Sequence, residues 1–243
     1  RDELARLYAG EMLSEPELQF ADFAQWQRRA LHDTGSHPSL AYWQQWLADA
    51  EYLLRLPETC AAVDGSGSGQ SNRSELSIPA AQFDALRRQA KTEGVSVFVL
   101  LMAILRTVLA TYTGQRDFLI GSPVTQRQST QLQNMIGCMV NNVAFRNPLD
   151  PEQQTFAGVL QAEKQSVLAA LDHAVLPFEA VVETIDPPRE FGRHPLFQVL
   201  PMYEDRTWAA VSADGVEFSI EVPHPPRPSY WDMELTLVDA GEG

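Results

Sequence analysis

Imidazoles and thiols, the groups that most readily move a proton near neutral pH, are few in this sequence. Its five histidines, His32, His37, His173, His194 and His224, stand singly. No Cys or His cluster has metal-ligand spacing, so no metal is expected. Asp172-His173 invites a dyad reading, but a histidine at a helix end is read here as bonding backbone carbonyls. Cys138 has no histidine placed to activate it and is read as core packing. Neutral donors are the more promising set. Gly121-Ser122-Pro123 reads as a turn closing a strand, able to present a hydroxyl and backbone N–H groups; the preferred competing reading is a turn capped by its own hydroxyl. Gly137, Asn141 and Asn142 follow, and the two amides could hold a carbonyl oxygen. For Asn141, a strand-end amide bonded to backbone stands level with that role. Arg127, Arg146 and Arg189 are expected to pair with carboxylates rather than to hold a phosphate.

Alternating helices and strands must position these groups. Leu4, Leu7 and Tyr8 mark a helix stopped at Gly10; Phe20, Phe23, Ala24 and Leu31 give a second helical stripe, with Trp26 near its edge. Pro38 sits at a helix start ahead of Leu40, Trp43, Trp46 and Leu47. Residues 64–72 (DGSGSGQSN) read as a polar loop; no G-K-[ST] follows, so a phosphate cradle is not inferred. Alternation over Ser74 to Ile78 predicts a strand, and Phe83, Leu86 and Ala90 a helix ended by Gly94. Ser96 can cap a helix apolar on most faces from Val97 to Leu109, expected to be central and buried, with Gly114 at its end. Strands are predicted at Asp117 to Gly121, Met139 to Phe145, Leu196 to Met202, Val216 to Val222 and Met233 to Val238. An amphipathic helix carried by Phe156, Val159, Leu160 and Val167, and a short one opening at Pro177-Phe178-Glu179, complete the list. The Pro-rich run His224 to Pro228 cannot donate to a ladder and is expected to be an exposed loop or crossover. The fold class is therefore α/β (α+β), helices packed on a mixed sheet.

The totals narrow the partners. The 243 residues are 44% hydrophobic and 21% charged, enough for one sizeable core or two small ones. A net charge of −14 repels phosphate backbones, so nucleic acid is not expected as a partner. The longest apolar run, Val97 to Leu105, is about half of the roughly 20 residues a membrane span requires, and no basic amphipathic stretch points to a membrane surface. Cys60 and Cys138 could form a disulfide, but two buried or idle thiols in a cytoplasmic protein is the preferred reading. Arg1-Asp2-Glu3 leads straight into a helical pattern rather than a signal peptide, and both ends look cut, so an excised piece of a longer protein is expected.

Five segments, in order, resemble the motifs of condensation domains in nonribosomal peptide synthetases. Phe20-Ala21-Asp22-Phe23-Ala24-Gln25-Trp26 is similar to Y-x-D-F-A-x-W, with Tyr42-Trp43-x-x-Trp46-Leu47 beyond it. Tyr112-Thr113-Gly114-Gln115-x-Asp117 and Ile120-Gly121-Ser122-Pro123-Val124-x-x-Arg127 resemble Y-T-G-Q-x-D and I-G-[ST]-P-V-x-x-R. Ile136 to Asn142 with Arg146 looks like I-G-x-F-V-N-T…R; His173 with Leu176-Pro177-Phe178-Glu179 looks like H-x-D-x-P-F-E. Arg189 with Arg193-His194-Pro195-Leu196-Phe197-Gln198 resembles R-D-x-S-R-N-P-L-F-Q. Asn142, Val175 and Glu190 depart mildly from these patterns, and the family's H-H-x-x-x-D-G is not found in these residues.

The resemblance implies a chloramphenicol acetyltransferase-like fold of two lobes with a tunnel between them. It assigns residues 1–27 to the tail of the N-terminal lobe and residues 28–243 to the C-terminal lobe. The implied reaction joins an acyl donor to an acceptor amine, both held as thioesters on carrier-protein phosphopantetheine arms, with no cofactor bound by the chain itself. Ser122, Gly137, Asn141 and Asn142 would line the tunnel. Asp22, Trp26, Arg127, Arg146, Pro177, Phe178, Glu179 and Arg189 would be structural motif residues, and no catalytic residue would lie in this chain. Partners implied are the N-terminal lobe, upstream and downstream carrier proteins and an adenylation domain. The Pro-rich run, or residues Glu204 to Asp214, would form a latch toward the first lobe. Heterocyclization, epimerization and an inactive recruiting platform are the competing functions.

Overall fold

The structure, a computed structural model, describes residues 2–32, 37–57, 73–127, 129–150, 155–190, 192–205, 211–218 and 231–239. The polar loop 64–72, Cys60 and the Pro-rich run His224 to Pro228 lie outside these residues, as do residues 219–222 of the predicted fifth strand. In chain order the elements are α1 (Asp2–Tyr8), α2 (Phe20–His32), α3 (Pro38–Leu47), α4 (Ala80–Thr92), α5 (Val97–Thr113), β1 (Leu119–Thr125), α6 (Thr130–Gln133), β2 (Val140–Arg146), α7 (Phe156–Asp172), α8 (Phe178–Ile185), β3 (Val199–Asp205), β4 (Val211–Ala213), β5 (Val216–Phe218) and β6 (Met233–Asp239).

Local chemistry sets the helix ends. The Ser96 hydroxyl accepts from the Val99 N–H at the start of α5, and Gly114 closes that helix with φ of 72°, a left-handed conformation that costs a glycine little. Thr155 caps α7 through the Gly158 N–H. Pro38 opens α3, where its lost N–H would have had no helical partner.

Pairing is antiparallel between β1 and β2, parallel between β3 and β6, and antiparallel between β4 and β5. β1 lies beside β3, and the Ser122 hydroxyl donates to the Pro201 carbonyl at 2.7 Å to link them. α7 packs on β2 and α5, and α8 packs on α3. The main core fills the space between them with Leu47, Leu54, Leu100, Phe118, Ile120, Phe145, Leu196 and Phe197 among its members. β1 reaches β3 closely because Gly121 has no side chain: a methyl group there would collide with the Phe197 ring.

Three expectations change. Among the described residues no strand pairs with Ser74 to Ile78, and Leu76 is 96% exposed. Alternation gives a strand its two faces, but without a neighbour to bond and a layer to cover it the pattern stays unpaired. β1 starts later than predicted and runs through Ser122-Pro123 rather than turning there, because the ladder to β2 extends from Leu119↔Arg146 to Thr125↔Val140. α5 is the central helix, yet Val108 and Tyr112 are exposed, so it buries a broad face rather than its whole circumference. Among the described residues no single helix is long and apolar enough to cross a membrane; α4 and α5 reach the required length and composition only as a pair bent by 101°.

Candidate functional site

The hairpin β1–β2 gathers the motif residues. Its register sets Ser122 opposite Val143, Pro123 opposite Asn142 and Val124 opposite Asn141, so two motifs separated in sequence become neighbours. The Asn141 side chain is buried and fully used. Its Nδ2 donates to the Ala174 carbonyl at 2.9 Å and the Leu176 carbonyl at 2.7 Å, and its Oδ1 accepts from the Phe178 N–H at 2.9 Å. One amide thus ties β2 to the turn and first residue of α8, satisfying backbone groups that a tight α7–α8 connection leaves over. Pro177 is the N-cap of α8, Phe178 is buried, and Glu179 is exposed in the first turn, where its charge suits the helix N-terminus. Ser122 is buried in β1 with its hydroxyl committed to β3, not to a turn of its own. Asn142 is half-buried on the same hairpin.

Gly137 lies under the Phe20 ring, and a methyl group there would strike it. α2 docks on this spot through a small second core of Phe23, Met135 and Met139. Asp22 braces the start of α2 by accepting the Gln19 N–H at 2.8 Å, and Trp26 is mostly exposed with its ring 5.8 Å from Phe23. Cys138, expected in the core, is exposed: it sits in the short connection into β2, where Met135 and Met139 take the buried positions on either side.

The arginines divide. Arg146 grips Asp117 with two nitrogens and also donates to the Trp46 carbonyl at 2.7 Å and the Ala48 carbonyl at 3.0 Å. Among the described residues Arg127 pairs with no carboxylate. It donates to the carbonyls of Leu132, Met135 and Gly137 at 2.7, 2.6 and 2.9 Å, along the turn that leads from the one-turn α6 to β2. Arg189 is exposed and pairs with no carboxylate among the described residues.

Three of the five histidines, His37, His173 and His194, are occupied too. His173 meets the Ser39 hydroxyl at 3.1 Å through Nδ1 and stacks on Tyr42 at 4.0 Å, so its partner is a hydroxyl rather than helix-end carbonyls. Burial and the nearby Asp172 charge push the Tyr42 phenol up to about 12. His194 packs against Phe178, Phe197 and Trp231, and burial pulls its imidazole down to about 4, partly offset by a hydrogen bond with the Phe197 backbone. His37 accepts the Ser39 N–H at the start of α3.

Against this geometry the comparisons are direct. The family model described as "Condensation domain" matches residues 1–232. The chain belongs to the condensation domain family. Tyrocidine synthase 2 of Brevibacillus parabrevis is 36% identical over 220 residues, which covers 89% of this chain and 6% of that protein. Surfactin synthase subunit 2 of Bacillus subtilis is 37% identical over 236 residues, covering 97% of this chain and 6% of that protein. The chain therefore spans only a few per cent of the length of these curated relatives. Among solved structures, the condensation domain of the monacolin K polyketide synthase superposes with a TM-score of 0.80 at 23% identity, covering 99% of this chain and 57% of that one. The X-domain from teicoplanin biosynthesis gives 0.76 at 23%, covering 96% and 53%. The fold is the chloramphenicol acetyltransferase-like fold of condensation domains.

Sequence reasoning missed one group in this condensation-domain chain. Arg106, in an otherwise apolar helix, is wholly buried and bonds Glu163 of α7 through Nε at 2.7 Å and Nη2 at 3.1 Å. It also donates to the Phe118 and Phe145 carbonyls, and Asn147 donates to Glu163. A charge in the middle of an apolar face was the available signal: it must find an opposite charge on whatever packs there.

Proposed function

We propose that this chain is the C-terminal lobe of an amide-forming condensation domain in a nonribosomal peptide synthetase, supplying one wall of the tunnel in which two carrier-bound thioesters meet. One observation carries the reading: the β1–β2 hairpin collects the resemblance motifs at a single place, with Asn141 bonded to the Leu176-Pro177-Phe178 motif and Gly121 seated on Phe197 of the last motif. Ser122, Gly137 and Asn141 then act on the tunnel by fixing its wall, while Asn142, half-buried and opposite Pro123, is the amide placed to meet a carbonyl. Neutral donors suit a site that accepts many side chains, since they hold a carbonyl without trapping charge.

The amine nucleophile must lose a proton, and a positioned base typically contributes about 10²–10⁴-fold. His37, His173 and His194 are each engaged elsewhere, and His194 is held neutral by its aromatic surroundings. As the resemblance implies, the proposal places the base outside this chain, on the other lobe. The phosphopantetheine arms arrive with the carrier proteins as part of the substrates, an adenylation domain loads the acceptor, and the setting is the cytoplasm. Residues 1–27 are proposed to belong with the other lobe.

The test loads donor and acceptor carrier proteins and follows dipeptidyl-carrier by mass spectrometry. The synthetase that contains this chain should form product, Asn142→Ala in it should slow product about tenfold or more, and the 243-residue chain alone should form none. Product from the chain alone at the rate of the synthetase would put the catalytic group here; no product from the synthetase would overturn the reading.

A further inference from the structure

Residues 52–55 are bonded on both edges as a strand is, although among the described residues no strand lies beside them. On one edge the Leu54 N–H donates to Gln198 Oε1 at 2.7 Å and the Tyr52 carbonyl accepts from Gln198 Nε2 at 3.1 Å. On the other, the Arg55 N–H donates to Gln115 Oε1 at 2.7 Å and the Leu53 carbonyl accepts from Gln115 Nε2 at 2.8 Å. In extended chain the polar groups of residues i and i+2 face one edge and those of i+1 and i+3 the other. Each glutamine therefore does what one peptide unit of a neighbouring strand would do, donating and accepting across a two-residue step.

We infer that Gln115 and Gln198 are positioning residues: their side-chain amides clamp residues 52–55 between them and thereby fix the entry of β1 relative to that of β3. Gln115 stands four residues before β1 and Gln198 immediately before β3, and those strands carry Gly121, Ser122 and Pro201 of the site wall. Gln198 is 1% exposed and also donates to the His194 carbonyl at 2.9 Å, which ties in the loop that carries Phe197. Leu54, wholly buried between the two amides, anchors the segment in the core. The clamp itself stands on these bonds; its effect on turnover rests on the function proposed above.

The clamp needs a group that both donates and accepts. An ionised glutamate only accepts and would face the Tyr52 and His194 carbonyls, whereas a protonated one regains a donor. The experiment compares Gln198→Glu and Gln198→Leu with the unaltered 243-residue chain by amide hydrogen exchange, each at the same pH. At neutral pH both variants should speed exchange at Leu54 about tenfold or more, the scale of one lost hydrogen bond. On acidification only Gln198→Glu should return toward the unaltered chain. Unchanged exchange, or no recovery, overturns the clamp. If the Gln198 variants do not fold, Gln115→Glu, at a half-buried position, gives the same reading at the Arg55 N–H when made beside Glu51→Gln, because Gln115 Nε2 also donates to Glu51 Oε2 at 2.9 Å. In the synthetase, Gln115→Glu should lower kcat more than it raises KM. Normal kcat and KM beside altered exchange would overturn the positioning role, while a synthetase inactive without any substitution would overturn the proposed function and leave the clamp standing.

Discussion

Asn141 shows how one side chain can hold a site without touching substrate. Its amide satisfies three backbone groups that no helix or ladder reaches. Asn141→Ala should therefore destabilise the chain by about 2–4 kcal/mol, the cost of stranding buried polar groups. Urea unfolding measures it, and a loss under about 0.5 kcal/mol, the level of an ordinary surface change, would show that the turn finds other partners.

His194 gives a pH signature at the same scale. Burial places its folded pKa at about 4, below the usual 6.5. Between these values the unfolded chain binds the proton more readily, so this contribution is intact above pH 6.5 and is lost as pH falls toward 4. The ring is partly open to solvent, so the effect is discounted to about 1–2 kcal/mol. Unfolding free energy measured from pH 7 to 4 should fall less steeply in His194→Gln; parallel curves would remove His194 as the cause.

At the scale of elements, Arg106 and Glu163 lock α5 to α7, while the two carbonyls Arg106 bonds lie just before β1 and within β2. Both charges are out of water, so the pair gives little net stability but breaking it is costly. Arg106→Met should cost about 3–5 kcal/mol by leaving Glu163 uncompensated, and adding Glu163→Leu should recover part of that. A double-mutant cycle of unfolding energies decides; strictly additive losses would mean the two charges do not see each other. The same elements show why Gly121 fits where it does: β1 and β3 approach so closely that the Phe197 ring takes the space of a side chain.

At the scale of the molecule, the described residues form two cores of unequal size. α5 belongs to the large one, whereas α2 is held by Phe23, Met135 and Met139, with Phe20 on Gly137. Native-state hydrogen exchange should find α2 opening locally, at lower free energy than α5, which should exchange only with global unfolding. Equal protection would mean that α2 is part of the main cooperative unit, and would count against assigning residues 1–27 to another lobe, since α2 itself runs from Phe20 to His32 through that boundary.

The sequence alone determined what is decided within a few residues. Apolar periodicity placed α5 and α7, Ser96 and Gly114 marked the ends of α5, and the ordered motifs pointed to the family. These signals are local because a cap or a helical face depends on neighbours three or four positions away. Only the tertiary structure decided partners. Ser122 became a strand residue because β2 and β3 flank it, Arg127 took carbonyls because α6 ends where its guanidinium reaches, and Cys138 faced outward because its two methionine neighbours filled the core. Ser74 to Ile78 had the alternation of a strand and found no ladder among the described residues. Gln115 and Gln198, 83 residues apart by their numbers, became the two sides of one clamp. A hydrogen bond across such separations is fixed by packing, and spacing along the chain does not record it.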